Sequence, residues 1–107
     1  MAARAPQNAF DRFQAARSGS SLESEIAQET AAALGRSGRA LRKALEALNT
    51  PASGDERETL LLNAAEKAQG YFIQREMMGI RDHREIIREY AIPKAVLVRI
   101  GIYRSRS

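Results

Sequence analysis

Apolar and polar positions keep one helical phase from Leu22 to Leu48. With Leu22 at zero and an advance of about 100° per residue, Leu22, Ile26 and Ala33 fall within about 0–40°. On the same wheel Leu41, Ala44, Leu45 and Leu48 fall within about 40–140°. Glu25, Glu29, Arg36, Arg39, Lys43 and Glu46 take the opposite arc. A loop at Gly35–Gly38 would reset that phase, and it does not, so the spacing predicts one amphipathic helix running through "ALGRSGRALRK". A phosphate-cradling loop would instead need its glycines between a strand and a helix, and nothing here reads as a strand. Ser20 and Glu23 have the S-x-x-E spacing of a capping box at the helix start. Glu23, Glu25 and Glu29 toward that end, and Arg36, Arg39, Arg42 and Lys43 toward the other, oppose the helix dipole. Each interior glycine costs about 1 kcal/mol relative to alanine. Ala27, Ala31 and Gly38, with Gly35 beside them, form a small-residue edge that would let another helix come close.

Pro51 and Gly54 in "NTPASGDERE" predict a turn. Ser53 with Glu56, or Asp55 with Glu58, has the spacing to cap a second helix. On that helix Leu60, Leu61, Ala64, Ala65, Ala68, Tyr71, Phe72 and Met78 share a stripe of about 140°. Gly79 is placed as its C′ stop. Leu62, Ile73 and Met77 lie outside the stripe and define a second, narrower apolar face, a candidate self-association or partner surface. Arg75 projects into the main stripe. In an antiparallel pair turning near residue 51 it falls opposite Glu25 and Glu29, so an ion pair with Glu29 is expected; the alternative is a buried cation holding an acidic ligand. Beyond Gly79, Asp82 and Glu85 have N-cap and N3 spacing for a short helix burying Ile86, Ile87 and Tyr90. Pro93 suits the first position of another, burying Val96, Leu97 and Ile100 and ending at Gly101.

The fold class expected is therefore all-α: a long antiparallel helical hairpin, then two short C-terminal helices. Residues 1–19 are expected to be a flexible N-terminal arm, 20–101 a single helical domain and 102–107 a basic tail. Rods of about 28 and 25 residues touch along one line and cannot cover each other's stripes. A homodimer completing a four-helix bundle follows as the expectation.

Composition narrows the chemistry. The chain of 107 residues has no cysteine, which removes disulfides, thiolate metal sites and cysteine nucleophiles and suits a reducing compartment. No apolar run reaches the roughly 18 residues of a membrane helix. Arg4, Arg12 and Arg17 against Asp11 resemble a mitochondrial presequence in composition, without the apolar core of a secretory signal. A poorly ordered arm is the preferred reading there, with Phe10 and Phe13 on the body. His83 is the single histidine, set among Arg81, Asp82 and Arg84, so a surface or capping role is expected and no metal set is available within the chain. The carboxylates lie on polar helix faces, and no nucleophile or base can be named, so neither an enzyme nor a cofactor is expected.

Net charge is +4, and residues 71–107 alone carry eight Lys/Arg against four Asp/Glu. That basic end raises nucleic acid as a partner. Ile86, Tyr90, Ile92, Leu97 and Ile100 have the apolar spacing of a helix-turn-helix, with Pro93 opening the second helix. Lys94, Arg99, Arg104 and Arg106 would be the contacts, with Arg36, Arg39, Arg42 and Lys43 as further cations. Against it, Ile87 is bulky where helices cross, and Ala91 stands where glycine usually turns the chain. Lys94, Ala95, Val98 and Arg99 offer no amide or hydroxyl side chain to read base edges.

Two stretches, "LESEIAQETAAALGRSGRAL" and "YFIQREMMGIRDHREIIREYAIPKAVLVRIG", together resemble a family of small alphaproteobacterial all-helical proteins of unknown function. The resemblance rests on Glu25 to Glu29, the pair Gly35 and Gly38, Gln74 to Glu76, Gly79 to Asp82 and Tyr90 to Pro93. It implies a bacterial cytoplasmic setting, which would make the presequence-like start a coincidence, and no activity, cofactor or site residue. The function expected is a non-catalytic protein-interaction or scaffold module that self-associates, with an unknown protein partner and no membrane. Nucleic-acid binding is the alternative.

Overall fold

A computed structural model describes the backbone of residues 9–101 and the side chains of residues 21–101. All the regular structure described is helical: α1 (Ala9–Ala47), α2 (Gly54–Met77), α3 (Arg84–Glu89) and α4 (Lys94–Ile100). The helix α1 is continuous through Gly35, Ser37 and Gly38, as the unbroken apolar phase predicts. Its start differs from expectation. It begins at Ala9, so Ser20 and Glu23 stand in the helix interior and not at its N-terminus. Alanines and the absence of any proline between Ala9 and Ser20 let the helix continue past the polar Ser18–Ser21 run. Of the expected arm, residues 1–8 lie outside the described residues, as does the basic tail 102–107.

The chain divides into two compact units, Met1–Ala32 and Ala33–Ser107. In the first, Leu22 and Ile26 are each 57% exposed, although they share the apolar phase of the later leucines. Thr30 there bonds the Ile26 carbonyl one turn back at 2.8 Å, a contact local to the helix.

The second unit holds the core. Leu41 and Ala44 of α1, and Leu48 just past its end, meet Leu61, Ala64, Ala65, Ala68, Tyr71 and Phe72 of α2. Ile86, Ile92, Val96 and Leu97 from the C-terminal segment close the cluster. The pairing of α1 and α2 is antiparallel: Gly38 lies against Tyr71, while the Leu48 carbonyl accepts from Arg57 at 2.7 Å. The helix α4 packs on α2. Ala64, Ala65 and Ala68 of α2 lie in the same buried cluster as Val96 and Leu97 of α4, and small residues let helices approach closely. Of the expected α2 stripe, Leu60 is half-buried and Met78 is exposed.

Helix ends in this unit use the backbone more than side chains. Ser53 occupies the N-cap position of α2, but its hydroxyl makes no capping bond, and Glu58 is engaged elsewhere. Neither expected capping box forms. At the other end Gly79 is left-handed at φ 87°, with Gly79 N–H bonded to Glu76 O (2.9 Å) and Ile80 N–H to Arg75 O (3.0 Å). That is the Schellman pattern its spacing predicts. The same pattern closes α3, with Ala91 N–H on Arg88 O (3.1 Å) and Ile92 N–H on Ile87 O (3.0 Å). There the left-handed residue is Ala91 at φ 53°, at a steric cost of about 1 kcal/mol for carrying a Cβ. Alanine thus makes the turn that glycine more often makes. Pro93 sits at the N-cap of α4, one place before the expected first helical position, and Gly101 ends it at φ 95°.

Candidate functional site

Three groups of polar and aromatic side chains surround the short helices. The first is built on Gly38. A Cβ at this position would lie 2.9 Å from the Tyr90 hydroxyl and 3.2 Å from the Tyr71 ring. The missing side chain is what admits both tyrosines, whose rings lie 5.5 Å apart at 44°. Burial, and after it the neighbouring Tyr90 hydroxyl, hold the Tyr71 phenol above its ordinary pKa, with Arg75 pulling the other way. The Arg42 guanidinium carbon stands 4.5 Å from the Tyr90 centroid, a cation on a ring face. This explains one glycine of the pair Gly35 and Gly38: the expected small-residue edge is used at Gly38 by aromatic rings.

The second group closes the α2–α3 connection. Because Gly79 reverses the chain, His83 returns over the last turns of α2. Its ring stacks on Phe72 at 4.4 Å between centroids and 11° between planes. Arg75 Nε–H, which can only donate, reaches His83 Nδ1 at 3.2 Å. Nδ1 must therefore be the acceptor, which leaves Nε2 protonated and donating to Glu76 Oε2 at 2.9 Å. Of the surface or capping role expected for His83, the position is that of the α3 N-cap but the ring is nearly buried, and both ring nitrogens are occupied. That occupancy suits a structural clasp better than proton transfer to a substrate. Arg75, expected to meet Glu29, donates in addition to the Asp82 carbonyl at 3.2 Å and lies 6.0 Å from the Tyr71 ring.

Asp82 takes the capping role expected of it from one residue further out. The N-cap is His83, and Asp82 Oδ1 accepts the Arg84 backbone N–H at 3.0 Å. The Arg84 guanidinium grips the same carboxylate at 2.8 Å and 3.1 Å. Those side-chain bonds first, and the backbone bond second, hold the Asp82 carboxyl far below the usual carboxylate range.

The third group is an ion pair between α2 and α4. Arg99 Nε and one terminal nitrogen bond both oxygens of Glu58 at 2.9 and 2.6 Å, while the other terminal nitrogen bonds Ala95 O at 2.6 Å. The hydrogen bond from Arg99 is the main reason the Glu58 carboxyl lies below its ordinary pKa. Of the cations expected to touch nucleic acid, Arg99 is therefore engaged by Glu58, Lys94 is exposed, and Arg104 and Arg106 lie outside the described residues. Leu62, Ile73 and Met77 are exposed, at 51%, 48% and 70%.

Beside the first group, a cleft of about 340 Å³ lies between the end of α1, the start of α2 and the α3–α4 turn. Arg42, Leu45, Leu48, Arg57, Tyr90 and Pro93 line it. From sequence, Arg42 was expected to oppose the helix dipole and to be a further nucleic-acid cation, and neither Arg57 nor Tyr90 was singled out as a site residue. The usable signal was Gly38, since a costly glycine inside a helix marks a close approach from another part of the chain. Among the described residues no cluster of three or more His, Asp or Glu could hold a metal ion, and no helix is long and apolar enough to cross a membrane.

Such an assembly of helices, clasped by aromatic stacking and ion pairs, defines a small all-helical protein. The chain belongs to a family of unknown function (DUF6665), whose model matches residues 4–106, nearly the whole length. No curated protein and no solved structure matches it.

Proposed function

We propose that this protein is a non-catalytic interaction or scaffold module that self-associates as a homodimer, in a bacterial cytoplasm. The observation that carries the reading is the outer face of α2. Leu62, Ile73 and Met77 fall within about 60° of one another on the helix, and all three are largely in water. Full burial of such a side chain is worth roughly 1.5–3 kcal/mol, so pairing this face with another surface is a substantial gain. Leu22 and Ile26 supply further apolar area on the first unit. His83, Asp82 and Glu58 are each engaged by a neighbouring side chain, which supports a binding role over a catalytic one.

Light scattering on the full chain at micromolar concentration tests this. The expected result is a dimer mass for the parent and a monomer mass for the double variant Ile73→Glu, Met77→Glu. A monomeric parent would overturn self-association. Nucleic-acid binding through Lys94, Arg99, Arg104 and Arg106 has less support, because Arg99 is bound to both oxygens of Glu58. A duplex-DNA mobility shift that fades as salt rises would favour it instead.

A further inference from the structure

The cleft at the end of α1 has two unlike walls. Leu45, Leu48 and Pro93 give it carbon surface, and the Tyr90 ring borders both that surface and the Arg42 cation. Arg42 and Arg57 give it positive charge. Neither cleft arginine takes part in the ion pairs Glu76–His83, Asp82–Arg84 and Glu58–Arg99. Arg42 is held against a ring face, a contact that consumes no N–H donor. Arg57 spends one nitrogen on the Leu48 carbonyl, which anchors its guanidinium at the cleft wall. A guanidinium has five donors in a planar fork that matches a carboxylate.

The charge of the lining selects among anions. Glu46 also borders the cleft, so two guanidinium groups and one carboxylate leave a net +1. The C-terminal end of α1, which carries partial negative charge, lies beside Leu48 and Asn49. Both features disfavour a dianion more than a monoanion. A volume of about 340 Å³ is at the lower end of the range for small-molecule sites.

We infer that this cleft binds a small amphipathic monocarboxylate, its carboxylate gripped by Arg42 and Arg57 and its apolar part laid on Leu45, Leu48 and Pro93. This site is separate from the outer face of α2 and does not depend on self-association. Phenylacetate is the probe, titrated into the full-length 15N-labelled protein and followed by amide and arginine side-chain NMR. Inorganic phosphate (charge alone) and 2-phenylethanol (apolar part alone) are the comparison ligands.

Phenylacetate should give saturable shifts confined to Arg42, Asn49, Arg57 and the Tyr90–Pro93 turn, and bind at least tenfold more tightly than either comparison ligand. Arg42→Gln should weaken it about tenfold. Glu46→Gln, which removes the opposing carboxylate from an exposed position, should tighten it severalfold, a gain that misfolding could not produce. Phosphate or phenylethanol binding as well as phenylacetate would overturn the ligand class. Scattered, non-saturating shifts, or no response to Glu46→Gln, would overturn the site.

Discussion

Gly38 and Tyr90 are so close that a single added carbon on Gly38 would stand 2.9 Å from the tyrosine hydroxyl. Tyr90 cannot simply swing aside, because Tyr71 flanks it and Arg42 lies on its ring. The glycine that weakens α1 as a helix therefore permits the contact that fastens the C-terminal segment to it.

Substituting Gly38→Ala should accordingly destabilise the protein by about 1 kcal/mol net, since overpacking of roughly 1–3 kcal/mol exceeds the helix-propensity gain. Gly70→Ala should act in the opposite direction, by about 0.5–1 kcal/mol, because nothing stands within 4 Å of its added Cβ. Thermal melts followed by circular dichroism would read both. Equal signs for the two would refute the close-approach account.

Ala91 holds a left-handed conformation that glycine adopts without steric cost. Ala91→Gly should raise stability by about 0.5–1 kcal/mol, the relief of strain outweighing the greater freedom of the unfolded chain. A lowered melting temperature would show that the turn is not strained.

Glu58 has a folded-state pKa below its unfolded one, chiefly through its bonds to Arg99. Its contribution is present above the unfolded value, about pH 4, and is lost as pH falls through the folded value. Urea titrations across pH should therefore show Glu58→Gln less stable than the parent near neutrality, with the gap closing in acid. A gap independent of pH would mean that the pair contributes through shape and not through charge. Asp82, depressed by Arg84, should lose its contribution at still lower pH.

The clasp at His83 makes a spectroscopic prediction. At pH 8 the imidazole nitrogens should report the Nε2–H tautomer, because Arg75 Nε–H occupies Nδ1. Replacing His83→Phe keeps a ring over Phe72 but leaves the Arg75 and Glu76 groups without that partner. A loss of about 1–2 kcal/mol is expected, with faster amide exchange from Met78 to Asp82. An Nδ1–H tautomer in the parent would refute the arrangement.

Local features were legible in sequence because they recur at short spacing. The apolar period carried α1 through its glycines, and the buried α2 positions from Leu61 to Phe72 all came from the predicted stripe. Gly79 and Gly101 were readable as helix stops for the same reason, since a left-handed residue after a helix favours glycine. Ser20 misled because an S-x-x-E spacing also occurs inside helices. The cleft was hidden because Arg42, Arg57 and Tyr90 come from three separate elements.

By itself the sequence determined that this chain is helical, where α2 and α4 stop, and which α2 face turns inward. These follow from backbone sterics and from a periodicity written into neighbouring residues. Tertiary structure alone decided which side chains meet across the chain: Glu58 with Arg99, Gly38 with Tyr90, and Arg57 with the carbonyl of Leu48. It also decided that Leu41 and Leu48 are covered while Leu62 and Ile73 are not. Periodicity states which side of a helix is apolar, but burial requires another surface at that level of the helix. Only the folded chain supplies or withholds that surface.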